Sequence, residues 1–193
     1  MKWDFISISI NPSLLEESES GCIRLNTDKT GQASQIRSVL INAYLQTERY
    51  ESVERLARKM LLPEFGEFAG LPPQAAKVVL AMALVRQDRS GEAKEVLDEL
   101  QRSPGFEELS PASRAVLLEL QGEIAFAAGE VDIAIALLNE SWEKLSSTEP
   151  KEIYSQVPRY LAITLTKAYE LKQDETNRTL WFERAKSLGF EEK

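Results

Sequence analysis

One pattern constrains this chain more than any other: from residue 34 onward it resembles itself at offsets of 40 to 44 residues. Placing Ala93 on Ala134 sets an offset of 41, which also puts Leu84 on Ala125 and Leu97 on Leu138. An offset of 40 carries Leu40 to Leu80, Tyr44 to Leu84 and Ala57 to Leu97, and one of 44 carries Ala125 to Tyr169 and Leu138 to Phe182. The connecting segments echo one another as well, since Pro63 and Phe65 fall on Pro104 and Phe106 at an offset of 41. Such self-similarity means one supersecondary unit used repeatedly, each copy too small to bury its apolar stripe alone. Four units fit, at 34–67, 74–107, 115–148 and 159–192.

Each unit reads as two helices, so the fold class is all-α. In the third unit Val116, Leu117, Leu120, Ile124 and Ala127 fall at helical spacing, and Val131, Ala134, Ile135, Leu138 and Trp142 do so after Gly129. Ser110-Pro111 supplies an N-cap followed by proline at the first helical position. Gly129 suits a left-handed helix stop. In the second unit Pro72-Pro73 starts the first helix and Ser90 is expected to cap the second. Pro158 disfavours helix at the residue before it, so it marks the start of the last pair.

Residues 1–33 do not share this period. Asp4, Ile6, Ile8 and Ile10 alternate with Phe5, Ser7 and Ser9, which is a strand period, and Cys22-Ile23-Arg24-Leu25 is a candidate second strand. The segment is expected to be an extended arm or hairpin, packed on the repeats or on another chain. It has no continuous apolar core of the secretory kind. Ser20-Gly21-Cys22 only faintly echoes a lipoprotein site, with Glu16, Glu17 and Glu19 where apolar residues would be needed. A cytoplasmic protein is expected, and a lone thiol fits a reducing compartment.

The helix pairs resemble the tetratricopeptide repeat family, whose 34-residue unit carries small residues at its eighth and twentieth positions. Gly122 and Ala134 stand at those places in the third unit, Ala81 and Ala93 in the second, and Tyr169, Phe182 and Ala185 stand at family-like places in the fourth. Ile41 and Val53 depart from the pattern in the first unit, though Tyr44 fits it, and Arg178 departs in the fourth. The units of 40–44 residues mark a long-spacing variant. The resemblance implies a superhelix of about four helix pairs, with the first helix of each pair lining a concave groove.

Composition removes most alternatives. Histidine is absent and Cys22 is the single cysteine, so His-based triads, most zinc sites and internal disulfides are excluded. With 31 acidic and 23 basic residues the formal charge is −8, which disfavours nucleic acid and anionic membranes as partners. No phosphate loop, dinucleotide fingerprint or nucleophile elbow is present. No metal, cofactor or catalytic residue is expected. An enzyme working through carboxylates alone would need a buried acidic pair with a raised pKa in a deep pocket.

The resemblance places the groove at Asn42 in the first unit, Met82 and Arg86 in the second, Glu119, Glu123 and Phe126 in the third, and Tyr160 and Lys167 in the fourth. Such a groove is apolar in the middle and acidic in the third unit. Asn42 matches one place of the family's carboxylate clamp, but Ser38, Val39, Ala75, Val79, Val116 and Leu120 do not supply the rest, so no clamp for acidic tails is expected. The function expected is a non-catalytic scaffold or adaptor that holds another protein's peptide or helix. The alternative is a regulatory domain that senses a small ligand in the same groove. At the C-terminus, Leu180-Trp181-Phe182 has more apolar surface than one side of a helix can bury. Either Leu188-Gly189-Phe190 folds back over it, or two copies meet end to end through Trp181 as a homodimer.

Overall fold

A computed structural model describes residues 31–62, 72–147 and 157–190, those of 31–38 by their backbone alone. Among the described residues there are eight α-helices and no strand. They are α1 (Gly31–Gln46), α2 (Tyr50–Met60), α3 (Pro73–Val85), α4 (Ser90–Gln101), α5 (Pro111–Ala127), α6 (Val131–Ser147), α7 (Val157–Leu171) and α8 (Glu175–Ser187). A 3-10 turn at Phe106–Glu108 lies between α4 and α5. The expected N-terminal arm and its two strands lie outside the described residues, save that Gly31, Gln32 and Ala33 already belong to α1.

The same turn closes every pair. Glu48, Asp88, Gly129 and Gln173 adopt left-handed backbone, with φ of 56°, 58°, 79° and 57°. After each, an amide reaches back five residues: Arg49 N–H to Tyr44 O, Arg89 to Leu84, Glu130 to Ala125 and Asp174 to Tyr169, at 2.9–3.0 Å. These acceptors are the residues that the sequence offsets align. The bond satisfies a carbonyl that the helix end would otherwise leave orphaned.

The helix starts follow local chemistry. Pro72 is extended and Pro73 opens α3. Ser110 accepts from the Ser113 amide at 3.1 Å, and Pro111 follows it. Asp174 caps α8 by accepting from the Asn177 amide at 3.1 Å. Pro158 sits in the first turn of α7, where its missing N–H costs nothing. Ser90 corrects its expectation: it lies inside α4, and Arg89 holds the cap position without a side-chain cap bond. The left-handed residue at Asp88 brings the chain into the helix directly after Arg89, whose guanidinium then grips Glu92 through two bonds of 2.7 Å.

Helices pack in chain order, each against the next, and α5 also packs on both α3 and α7. Gly122 lets α5 approach α6 closely. A Cβ placed on Gly122 would meet Leu138 Cγ at 2.7 Å and the Ala134 carbonyl oxygen at 3.3 Å. Only glycine lets these backbones come so near. Ser141 Oγ donates to Ala115 O at 2.7 Å in the same buried seam.

Between the last two pairs, Trp142 of α6 meets Trp181 of α8 edge to face, with ring centroids 5.1 Å apart and planes at 89°. Arg184 lies over the Trp181 ring at 4.3 Å. Trp181 is 3% exposed, so its indole is enclosed within the chain, and Leu180 is the exposed residue of that trio. The C-terminal segment does fold back: Leu188 is buried, and Phe190 sits edge to face on Phe182 at 6.3 Å.

Two glycine substitutions are expected to move stability in opposite directions. Gly122→Ala gains helix propensity but drives a methyl into fully buried Leu138, and should lower stability by about 1–3 kcal/mol. Gly91→Ala in α4, where nothing lies within 4 Å, should raise it by up to about 1 kcal/mol. Urea midpoints of the two variants check both signs.

Candidate functional site

Arg86 follows directly on α3, at the negative end of a helix that is apolar through most of its length. On α5, Glu119 and Glu123 are one turn apart and therefore share a face. At the repeat offset of 41 they occupy the places of Val78 and Met82, which are buried in α3. On α7, Tyr160 and Thr164 are likewise one turn apart. These three helices touch in series, and their side chains meet inside the molecule.

Arg86 Nη2 donates to Glu119 Oε1 at 2.6 Å, and Nη1 donates to Glu123 Oε2. The guanidinium lies over the Tyr160 ring, 3.9 Å from its centroid, which is cation–π distance. Thr164 Oγ1 donates to Glu123 Oε1 at 3.2 Å. The Tyr160 hydroxyl is hydrogen-bonded to that of Tyr50 on α2 and lies 3.1 Å from Glu48 Oε1. Arg159 Nη2 donates to Glu48 Oε1 at 2.7 Å and to the Tyr160 hydroxyl at 3.0 Å. Through these bonds the site gathers residues from all four helix pairs.

Burial decides its electrostatics. The side chains of Arg86, Glu119 and Glu123 are 7%, 0% and 8% exposed. One guanidinium faces two carboxylates, so full ionisation would leave one uncompensated negative charge in the interior. Burial, then the Glu123 charge, push the Glu119 carboxyl well above its ordinary value of 4.5, with Arg86 opposing them. Glu119 Oε2 has no hydrogen-bond partner. Burial alone would lower the Arg86 pKa, but the two carboxylates outweigh it and keep the guanidinium charged. Burial and the bond to Tyr160 push the Tyr50 phenol up, so it stays protonated.

A second charged cluster lies nearer the surface. Glu54 of α2 accepts from Gln87 Nε2 at 3.0 Å, Arg89 Nη1 at 2.7 Å and Arg58 Nε at 2.9 Å. Partial burial pushes its carboxyl up, but the three donors together hold it below its ordinary range. This cluster fastens α2 to the turn between α3 and α4.

Of the eight residues expected to line an open groove, the structure brings four together: Arg86, Glu119, Glu123 and Tyr160. Four expectations of exposure are corrected, that of the Arg86 side chain among them. Glu119 and Glu123 turn inward to neutralise Arg86, and Met82 is enclosed in the apolar core. Lys167 is exposed, and Asn42 and Phe126 are half-buried. Asn42 accepts from Gln46 Nε2 at 3.5 Å, apart from the cluster. Sequence reasoning missed Glu48, Tyr50, Arg159 and Thr164. The available signal was the lone arginine ending an apolar helix, set against two glutamates on the next first helix.

Among the described residues, no group of three acidic or cysteine side chains is placed to hold a metal ion, and no helix is long and apolar enough to cross a membrane. No family model, curated protein or solved structure matches the chain.

Removing Arg86 leaves two buried carboxyl groups without their cation, so Arg86→Met should cost about 3–5 kcal/mol, and adding Glu119→Gln and Glu123→Gln should recover much of it. Chemical unfolding of the single and triple variants measures both. Glu119 also gives stability a definite pH dependence. Its folded pKa lies above the unfolded one, so its favourable contribution is complete below 4.5 and is lost as pH rises through the folded value. Glu119→Gln is therefore expected to exceed the wild type in melting temperature by a margin that widens above pH 4.5. A constant margin across the pH series contradicts this.

Proposed function

We propose that the chain is a non-catalytic interaction module of the tetratricopeptide kind, an adaptor that holds an extended peptide or partner helix, in a cytoplasmic setting. One observation carries the reading. Four helix pairs share one left-handed turn, at offsets matching the sequence repeat, and α3, α5 and α7 stack side by side. Repeats stacked in this way present a continuous row of side chains along their first helices. The reachable members of that row are Phe126 and Lys167 on α5 and α7, with Asn42 on α1. They offer an aromatic foothold and a positive charge.

The acidic pair does not favour an enzyme. Both carboxyl groups are engaged by Arg86, and the guanidinium lies over the Tyr160 ring. A substrate would have to displace the Arg86 hydrogen bonds before either carboxyl group could act. One observation keeps a small-ligand sensor as the second reading: Glu119 Oε2 is buried and unpartnered beside a guanidinium.

Affinity capture from native lysate, wild type beside the double variant Phe126→Ser with Lys167→Glu, tests the adaptor reading. The expected outcome is a protein retained by the wild type and lost from the variant. Equal retention by both, or melting shifts with metabolites and none with captured proteins, contradicts it.

A further inference from the structure

We propose that the contact between the first and fourth helix pairs is a proton-controlled latch, shut while the Glu119 carboxyl keeps its proton and opened when that proton leaves. Among the described residues the hydrogen bonds of this contact run between Glu48 and Tyr50 on one side and Arg159 and Tyr160 on the other, while α2 and α7 do not pack as neighbouring helices do. Tyr160 belongs to the latch and to the buried site at once. Its hydroxyl closes the contact, and its ring covers Arg86.

The charges around Glu119 leave the latch dependent on one proton. Arg86 at the end of α3 is the cation that reaches it, and Glu123 on its own helix competes for that cation. From α7, Thr164 serves Glu123, and Tyr160 serves Arg86. Arg159 is committed to Glu48. Tyr50 is turned to Tyr160 and keeps its phenolic proton. The α6 side meets α5 through Leu138 and Ser141, neither of them titratable. On α4 the charged residues Glu92, Lys94, Glu95 and Glu99 are exposed, and Asp98 is half-buried.

When the Glu119 O–H bond breaks and its proton passes to bulk water, the site holds two carboxylates on one guanidinium. An uncompensated buried charge is costly, and hydration is the available relief. The Tyr160 ring lies on Arg86, so hydration of the guanidinium from that side must part the bonds that its hydroxyl makes to Tyr50 and Glu48. The latch belongs to the fold itself, whatever partner the chain holds.

Spin labels at exposed Glu51 and Lys167, on a full-length chain carrying Cys22→Ser, report the separation of α2 and α7. Distance distributions are recorded from about pH 5 to about pH 9, upward from the ordinary carboxylate range. The wild type is expected to show one short distance at the acid end and a reversible, growing longer population as pH rises. Glu119→Gln should keep the short distance throughout. Tyr160→Phe retains the ring but loses the bonds to Tyr50 and Glu48, so it should open at lower pH than the wild type. A distribution that ignores pH, a Glu119→Gln chain that opens like the wild type, or a Tyr160→Phe chain that opens at the wild-type pH overturns the latch.

Discussion

A guanidinium taken out of water must be matched, and the interior of this protein is arranged around matching Arg86. Two carboxylates from α5 and the face of Tyr160 from α7 surround it. Such an arrangement is not the most stabilising filling for a core, since well-packed apolar side chains of similar volume often do as well or better. Its consequence is selectivity. An apolar stripe slipped by one helical turn still buries its surface, whereas Arg86 moved by one turn loses at least one carboxylate. The charged trio therefore fixes which turns of α3, α5 and α7 lie side by side, while the apolar residues supply most of the driving force.

The helix pairs themselves rest on a different device. Each reverses through one left-handed residue and one backbone bond reaching back five positions. Gly129 adopts this geometry without strain, but Glu48, Asp88 and Gln173 carry side chains there at a steric cost of about 1–2 kcal/mol. Three such residues persist because packing on both sides of the turn over-determines it. Gly122 has the complementary role within the third pair, where absence of a side chain sets the distance between α5 and α6.

This explains what the sequence makes legible. The repeat, the all-α class and the starts at Pro72-Pro73, Ser110-Pro111 and Pro158 follow from residues acting within a few positions of one another. Gly129 is readable as a stop for the same reason, and the shared turns at Glu48, Asp88 and Gln173 become visible only through the offsets that relate them to it. The face on which Arg86, Glu119, Glu123 and Tyr160 lie is also readable, because helical periodicity fixes direction. What closes over that face is not. The Tyr50–Tyr160 and Glu48–Arg159 contacts join residues more than a hundred positions apart, and their existence depends on how four pairs pack on one another. An expectation of an open acidic groove therefore becomes a sealed ion cluster, and the reachable surface shifts toward Phe126 and Lys167.

Nitrogen-15 NMR of the arginine side chains tests the central claim most directly. If Arg86 is held between Glu119 and Glu123 beneath Tyr160, its Nη protons should give separate, slowly exchanging resonances with contacts to the Tyr160 ring, unlike those of exposed Arg58 or Arg114. A single averaged Arg86 resonance, exchanging at the rate of the exposed arginines and without contact to Tyr160, would contradict the account.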